Sequence, residues 1–378
     1  MFSKNKTNLK VSKVKLTITV SLIFKCFLLG LFWSEYSKIA PNPYQIWGAD
    51  EAHWFRLGER IENSIGNFGF FHCFLDLENI TGTYHHGWPF IVGVCFFLFG
   101  KNVFYVLVAK QVFYAVSCYY LYKLSRMINY SHRVSYYVMA FAILYPPMLI
   151  NSFSLMREEI IFGLITIIMY NLYKIKNKRS SLYFTHLLTI SIILFTFTIR
   201  IHVGAILACM YILFTFLKST PAKQVILFVS LPVAAFLLLE KYIEYILNFF
   251  FATKGSLSVY QILLSYTRFL LSPLPWRILP EIHHIYVAWW YYISLPVILL
   301  SSFFFLKIFI SIKRHWQIFL FIFLYFLSYV FNAALIADSR MSVGPRQFCV
   351  IGPLLFLVCF SSIIDDIVIR YNFKKFIK

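Results

Sequence analysis

Charge is what this sequence has least of. Only 13% of its 378 residues are Asp, Glu, Lys or Arg, about half the share found in soluble globular chains. A soluble domain of this length could not cover itself with so few charges. Acidic residues are scarcest, 15 against 35 Lys and Arg, and the formal net charge is +20. An excess of that sign raises nucleic acid as a partner. The basic residues, however, stand in short clusters between long apolar runs and form no continuous face. Nucleic-acid binding is set aside on that distribution, which is the one expected of cytoplasmic loops.

Signature motifs are missing as well. The chain has no GxGxxG, HExxH or GxSxG, so dinucleotide, zincin and nucleophile-elbow chemistry have no seat. Gly93 through Lys101 resembles a phosphate loop only superficially: the spacing is wrong and Asn102 follows the lysine. Seven cysteines are present without a CxxC pair, and all but Cys73 lie in apolar segments. That excludes a disulfide framework or a zinc site. No cofactor is expected, although a divalent metal stays open. Internal repeats, low-complexity tracts and long hydrophilic domains are also lacking.

What is abundant is apolar. Hydrophobic residues make up 60% of the chain, and runs of about twenty residues suffice to cross a bilayer. Candidate spans are 15–34, 103–122, 134–151, 158–173, 183–199, 201–217, 224–246, 286–308, 316–336 and 347–364. The basic N-terminus (Lys4, Lys6, Lys10, Lys13, Lys15) and the interfacial Trp33 and Tyr36 mark the first as a retained signal anchor. The expected fold is all-α, a polytopic membrane helical bundle of about ten spans forming a single domain over 1–378. Within it, 1–14 and 365–378 are cytoplasmic tails, and 35–87 and 247–285 are large outer loops.

Orientation follows from Lys and Arg. Lys123, Arg126 and Arg133, then Lys174, Lys176, Lys178 and Arg179, then Lys218 and Lys223, then Lys307, Lys313 and Arg314, and finally Arg370, Lys374, Lys375 and Lys378 mark inner segments. Both termini are therefore inside. The apolar stretch 88–100 is too short to span comfortably, and counting it as a crossing would put every later basic loop outside. It reads as re-entrant or interfacial, the competing reading being a short span.

Polar chemistry collects on the outer side. In 50–65, Trp54, Gly58, Ile61 and Ile65 recur at helical spacing, with Arg56, Glu59, Arg60 and Glu62 opposite. This describes an amphipathic helix along the membrane surface. Asp50 and Glu51 fall at its N-terminus, where negative charge is stabilised. Asp50 serves there either as a plain helix cap or as a fixed reactive carboxylate.

His85 and His86 precede Gly87-Trp88-Pro89. Adjacent histidines on an extended chain point to opposite sides, which favours hydrogen bonding by one of them over a metal site. Arg157-Glu158-Glu159 opens a membrane helix, where charges are costly unless paired or functional. Arg157 either pairs internally or faces an anionic ligand. Arg200, between two apolar runs, and Arg268, Arg277, Arg340 and Arg346 all lie outside, against the usual bias. Guanidinium groups suit phosphate, which they bind bidentately. Lys25 and Lys110 are the exceptions, ionisable residues within apolar runs.

The order of these features resembles a known class. An outer Asp50 after the first span and an amphipathic helix are followed by a His86-Gly87-Trp88-Pro89 step into a short helix ending Phe99-Gly100. Then come a Pro-containing outer turn before Arg157-Glu158-Glu159, an outer Arg200, and Gly344-Pro345-Arg346 before a final helix containing Pro353. The layout is similar to the GT-C class of membrane glycosyltransferases, relatives of protein mannosyltransferases and lipid A aminoarabinose transferases. It covers most of the chain, although the Met156-Arg157-Glu158-Glu159 step differs from the acidic form common in mannosyltransferases, and no outer domain is appended.

The resemblance implies a GT-C-like bundle with amphipathic juxtamembrane helices, in an inner membrane with the active site periplasmic. It implies a polyprenyl-phosphate-linked sugar as donor and a lipid-linked or cell-surface glycan as acceptor. Asp50, with Glu51 beside it, would be the catalytic base. Arg157, Arg200 and Arg346 would hold the donor phosphate, while His85, His86, Glu158, Arg268 and Arg277 would contact substrate. A repeat-unit polymerase is the nearest rival, and a lipid or glycan transporter is a further one.

Overall fold

The computed structural model describes residues 2–39, 49–83, 86–152, 154–177 and 182–216, with short helical stretches between 317 and 358. Every regular element among the described residues is an α-helix. The expected spans at 224–246 and 286–308 and the outer loop 247–285 lie outside the described residues.

Among the described residues up to 216, eleven helices follow in order: α1 (Phe2–Ile39), α2 (Ala49–Phe68), α3 (Phe70–Leu75), α4 (Leu77–Thr81), α5 (Gly87–Phe99), α6 (Val103–Met127), α7 (His132–Leu144), α8 (Pro146–Ser152), α9 (Glu158–Lys176), α10 (Leu182–Ile199) and α11 (Ile201–Phe216). Among the described residues, two stretches, Lys13–Leu31 in α1 and Val103–Met127, are long and apolar enough to cross a membrane; α5, Tyr183–Ile199 and Ile201–Thr215 are shorter apolar helices. The outward face of α1 carries Leu16, Val20, Ile23, Phe24, Phe27 and Leu31, all exposed.

The chain divides into two compact units, one of Met1–Tyr170 with Leu194–Ile201, the other of Asn171–Ile193 with His202–Lys378. In the first, α1 packs on α6, α6 on α7, and α2 on α5. The α2–α5 crossing is close because both helices present glycine. A Cβ on Gly58 would stand 2.5 Å from Val92 Cγ1, and one on Gly93 would stand 2.5 Å from Ile61 Cγ2. Trp54, Leu57, Ile61 and Ile65 are buried, and Ile61 and Ile65 join Cys73 and Leu77 in one cluster. The amphipathic stripe expected to lie on the membrane surface is thus turned inward, because α5 offers it a helix to pack on. Burial pushes the Cys73 thiol up, although a hydrogen bond with Ser64 works the other way.

Sequence punctuation explains the helix ends. Asn102 accepts from the Phe104 amide and caps α6; Ser131 accepts from the Val134 amide and caps α7. The apolar run 134–151, expected as one span, is broken at Tyr145. Its ψ of 113° is extended, as a residue before proline prefers, and Pro146 and Pro147 then open α8. In the second unit, Tyr173 donates to Gln317 Oε1 at 3.0 Å, and His186 Nδ1 lies 2.8 Å from the Tyr211 hydroxyl.

Candidate active site: a buried charge cluster around residues 151–159

The segment between α8 and α9 crosses the interior of the first unit, and its polar backbone must find partners there. Four helices supply them. From α2, Glu51 Oε1 accepts from the Leu155 amide at 2.6 Å. From α5, the Trp88 indole donates to the Leu155 carbonyl at 3.1 Å. Leu155 is therefore held on both its backbone groups. From α6, Lys110 donates to the carbonyls of Asn151 at 2.8 Å and Ser154 at 2.7 Å. At the end of α10, the Ile199 carbonyl accepts from Arg157 at 2.7 Å.

Charge is arranged in pairs about this segment. Lys110 meets Glu159 at 2.9 Å, and Glu159 Oε1 also accepts from Ser152 at 2.7 Å and from Gln111 at 3.4 Å. Arg200 meets Glu158 at 3.6 Å. The Arg157 guanidinium lies over the Trp54 ring, 4.9 Å from its centroid, a cation–π contact strengthened by burial. Glu51, Lys110, Arg157, Glu158, Glu159 and Arg200 are all buried. Glu158 and Glu159 occupy the first turn of α9, where the helix dipole favours negative charge.

Three carboxylates and three cations bring the formal charge of these six to zero. An anionic ligand would have to displace an existing contact. Of the two ion pairs, Lys110–Glu159 has the short separation of a charge-assisted hydrogen bond and Arg200–Glu158 the longer one. Exchange at Arg200 would cost less.

Of the residues the sequence singles out, Glu51, Arg157, Glu158 and Arg200 come together here. Glu51 takes the part of a clasp on Leu155. The backbone of Asp50 is the second residue of α2, one residue before Glu51, while its side chain lies outside the described residues. His86 immediately precedes α5 and is half-buried. His85, Arg268, Arg277, Arg340 and Arg346 lie outside the described residues. Among the described residues, no group of three or more His, Cys, Asp or Glu could hold a metal ion.

Sequence reasoning placed Trp54 on an apolar stripe and Trp88 in the step into a short helix, but gave neither of them, nor Gln111 or Ser152, a part in this site. Lys110 carried a signal, an ammonium within an apolar run, but its partners lie 41 to 49 residues further along the chain. Gly87 shows how closely α10 approaches: a Cβ there would stand 2.2 Å from Thr198 Oγ1. Comparison of the chain with protein-family models, curated proteins and solved structures gives no match.

Proposed function

We propose that the chain is a membrane glycosyltransferase of GT-C-like architecture. It would move a sugar from a polyprenyl-phosphate donor to a lipid-linked or cell-surface glycan acceptor. The observation that carries this reading is the gathering of Arg157, Glu158 and Arg200 in one buried cluster that also takes in the start of α2. Two guanidinium groups in a poorly hydrated setting are suited to a departing phosphate.

In this mechanism Asp50 removes a proton from an acceptor hydroxyl. The hydroxyl oxygen attacks the anomeric carbon, the bond from that carbon to the phosphate oxygen breaks, and the configuration inverts. Arg157 and Arg200 stabilise the charge on the polyprenyl phosphate, with Arg346 as a third candidate. Glu51 holds Leu155, and so the Arg157 segment, in place. Substrate contacts are assigned to His85, His86, Glu158, Arg268 and Arg277. About ten crossings, with both termini cytoplasmic and the site periplasmic, complete the proposal.

The test is mass analysis of lipid-linked and surface glycans from cells carrying wild-type protein or Asp50→Asn at equal expression. The expected outcome is loss of one sugar of defined mass. Loss of a whole chain-length ladder, with single repeat units retained, would make the protein a polymerase instead. Unchanged glycans would remove Asp50 as the base and favour transport.

A further inference from the structure

Beside the charge cluster, a small cavity lies between α1, α6 and α7. Its lining includes Ser21, Lys25, Gln111, Tyr114, Cys118 and Ile143, and it has room for about one water molecule. Lys25 is only 7% exposed and sits within the apolar stretch Lys13–Leu31. Its ammonium lies 4.1 Å from the centroid of the Tyr114 ring, a contact with the π-face that leaves N–H groups over. Its Nζ has no hydrogen-bond partner among the described residues. Nor has Gln111 Oε1, although Gln111 Nε2 is within 3.4 Å of both the Ser152 carbonyl and Glu159 Oε1. The Tyr114 hydroxyl cannot serve Gln111 Oε1 as a donor, because it already donates to the Ala142 carbonyl, and Lys25 Nζ is set over the face of its ring.

The two unmet demands are complementary. Lys25 needs an acceptor, and Gln111 Oε1 needs a donor. A simple anion would satisfy the first alone and a metal cation the second alone. Water satisfies both and fits the space, and an unpaired buried polar group is costly enough to retain it. We propose that this cavity is a hydration site in which one bound water bridges Lys25 of α1 to Gln111 of α6.

The bridge gives Lys25 a structural purpose within an apolar helix. A continuous polar chain then runs from Lys25 through the water to Gln111, Glu159 and Ser152. It ties α1 to the segment that carries Arg157, and it stands whatever substrate that segment serves.

Radiolytic hydroxyl-radical footprinting of the full chain in detergent tests the site, because radicals formed from a bound water oxidise the side chains beside it. Cys118 and Cys73 are both 0% exposed, yet only Cys118 lines the cavity. The expected result in the wild-type protein is oxidation of Cys118 several-fold faster than Cys73. Lys25→Met and Gln111→Leu should each slow Cys118 oxidation towards the Cys73 rate. Equal rates at the two cysteines in the wild type, whether both slow or both fast, would overturn the proposal. So would an unchanged Cys118 rate in both variants if they remain folded.

Discussion

Lys110 shows how much a single side chain can be asked to hold. At 1% exposure it pairs with Glu159 and also caps two carbonyls of the 151–154 segment. Removing one member of a buried pair strands the other, at a cost of about 3–5 kcal/mol. Lys110→Met should therefore destabilise the detergent-solubilised protein by about that amount, read as a lower denaturation midpoint. The double variant Lys110→Met, Glu159→Gln should recover part of the loss, because no uncompensated carboxylate remains. The two bare carbonyls would keep the recovery incomplete. Failure of the double variant to recover anything would mean that the carbonyl contacts, and not the ion pair, carry the stability.

The same residue marks where sequence reading stops. An ammonium in an apolar run announces that a partner exists. It does not say that the partners are a glutamate and two carbonyls from a segment reached only after another two helices. Arg200 was legible as a cation needing an anion, but its pairing with Glu158 depends on how closely α10 approaches α5 and α9. Periodicity carries no such information. Glu51 was legible as a carboxylate at a helix start, whereas its bond to Leu155 required the loop to be in place.

At the scale of elements, the α2–α5 crossing rests on two glycines. The helical stripe Trp54, Gly58, Ile61 and Ile65 was readable from spacing, and α5 from its apolar run. That the one covers the other was not, because an amphipathic stripe is equally suited to lipid and to a neighbouring helix. Pro146 and Pro147 announced a turn before Arg157, but the apolar run continues through them, so spacing alone did not end the helix at Leu144. Gly93 allows a sharp test of the crossing. A Cβ there meets Ile61 at 2.5 Å and the Gly58 carbonyl oxygen at 2.9 Å, and backbone cannot move aside cheaply. Gly93→Val should cost about 1–3 kcal/mol by overpacking. At Gly66, in the same α2, a Cβ would meet nothing within 4 Å, so Gly66→Ala should stabilise by up to about 1 kcal/mol through helix propensity. Denaturation midpoints of the two variants should move in opposite directions. Equal shifts would show that glycine is not what lets the helices approach.

For the whole molecule, the question of topology turns on α5. Its 13 residues rise about 20 Å as a helix, against a hydrocarbon core of about 30 Å. Trp88 at its start is buried and bonded to Leu155, whereas Phe97, Leu98 and Phe99 at its end are exposed. A helix anchored at one end and too short to reach across suits a re-entrant or interfacial position. The charge pattern agrees, because Lys123, Arg126 and Arg133 then fall inside together with the N-terminal lysines. Reporter fusions separate the alternatives. A periplasm-active phosphatase joined after Ile80 should be active, and one joined at Asn129 or after Lys378 inactive, with a cytoplasm-fluorescent protein giving the converse. If α5 crosses, the Asn129 fusion inverts while Ile80 stays outside, and the Lys378 fusion inverts with it unless a later crossing is lost. A later inner loop must then also change sides, or the C-terminus must lie outside. That result would put residues 151–159 and their buried charges on the cytoplasmic side, and with them the chemistry proposed for Arg157 and Arg200.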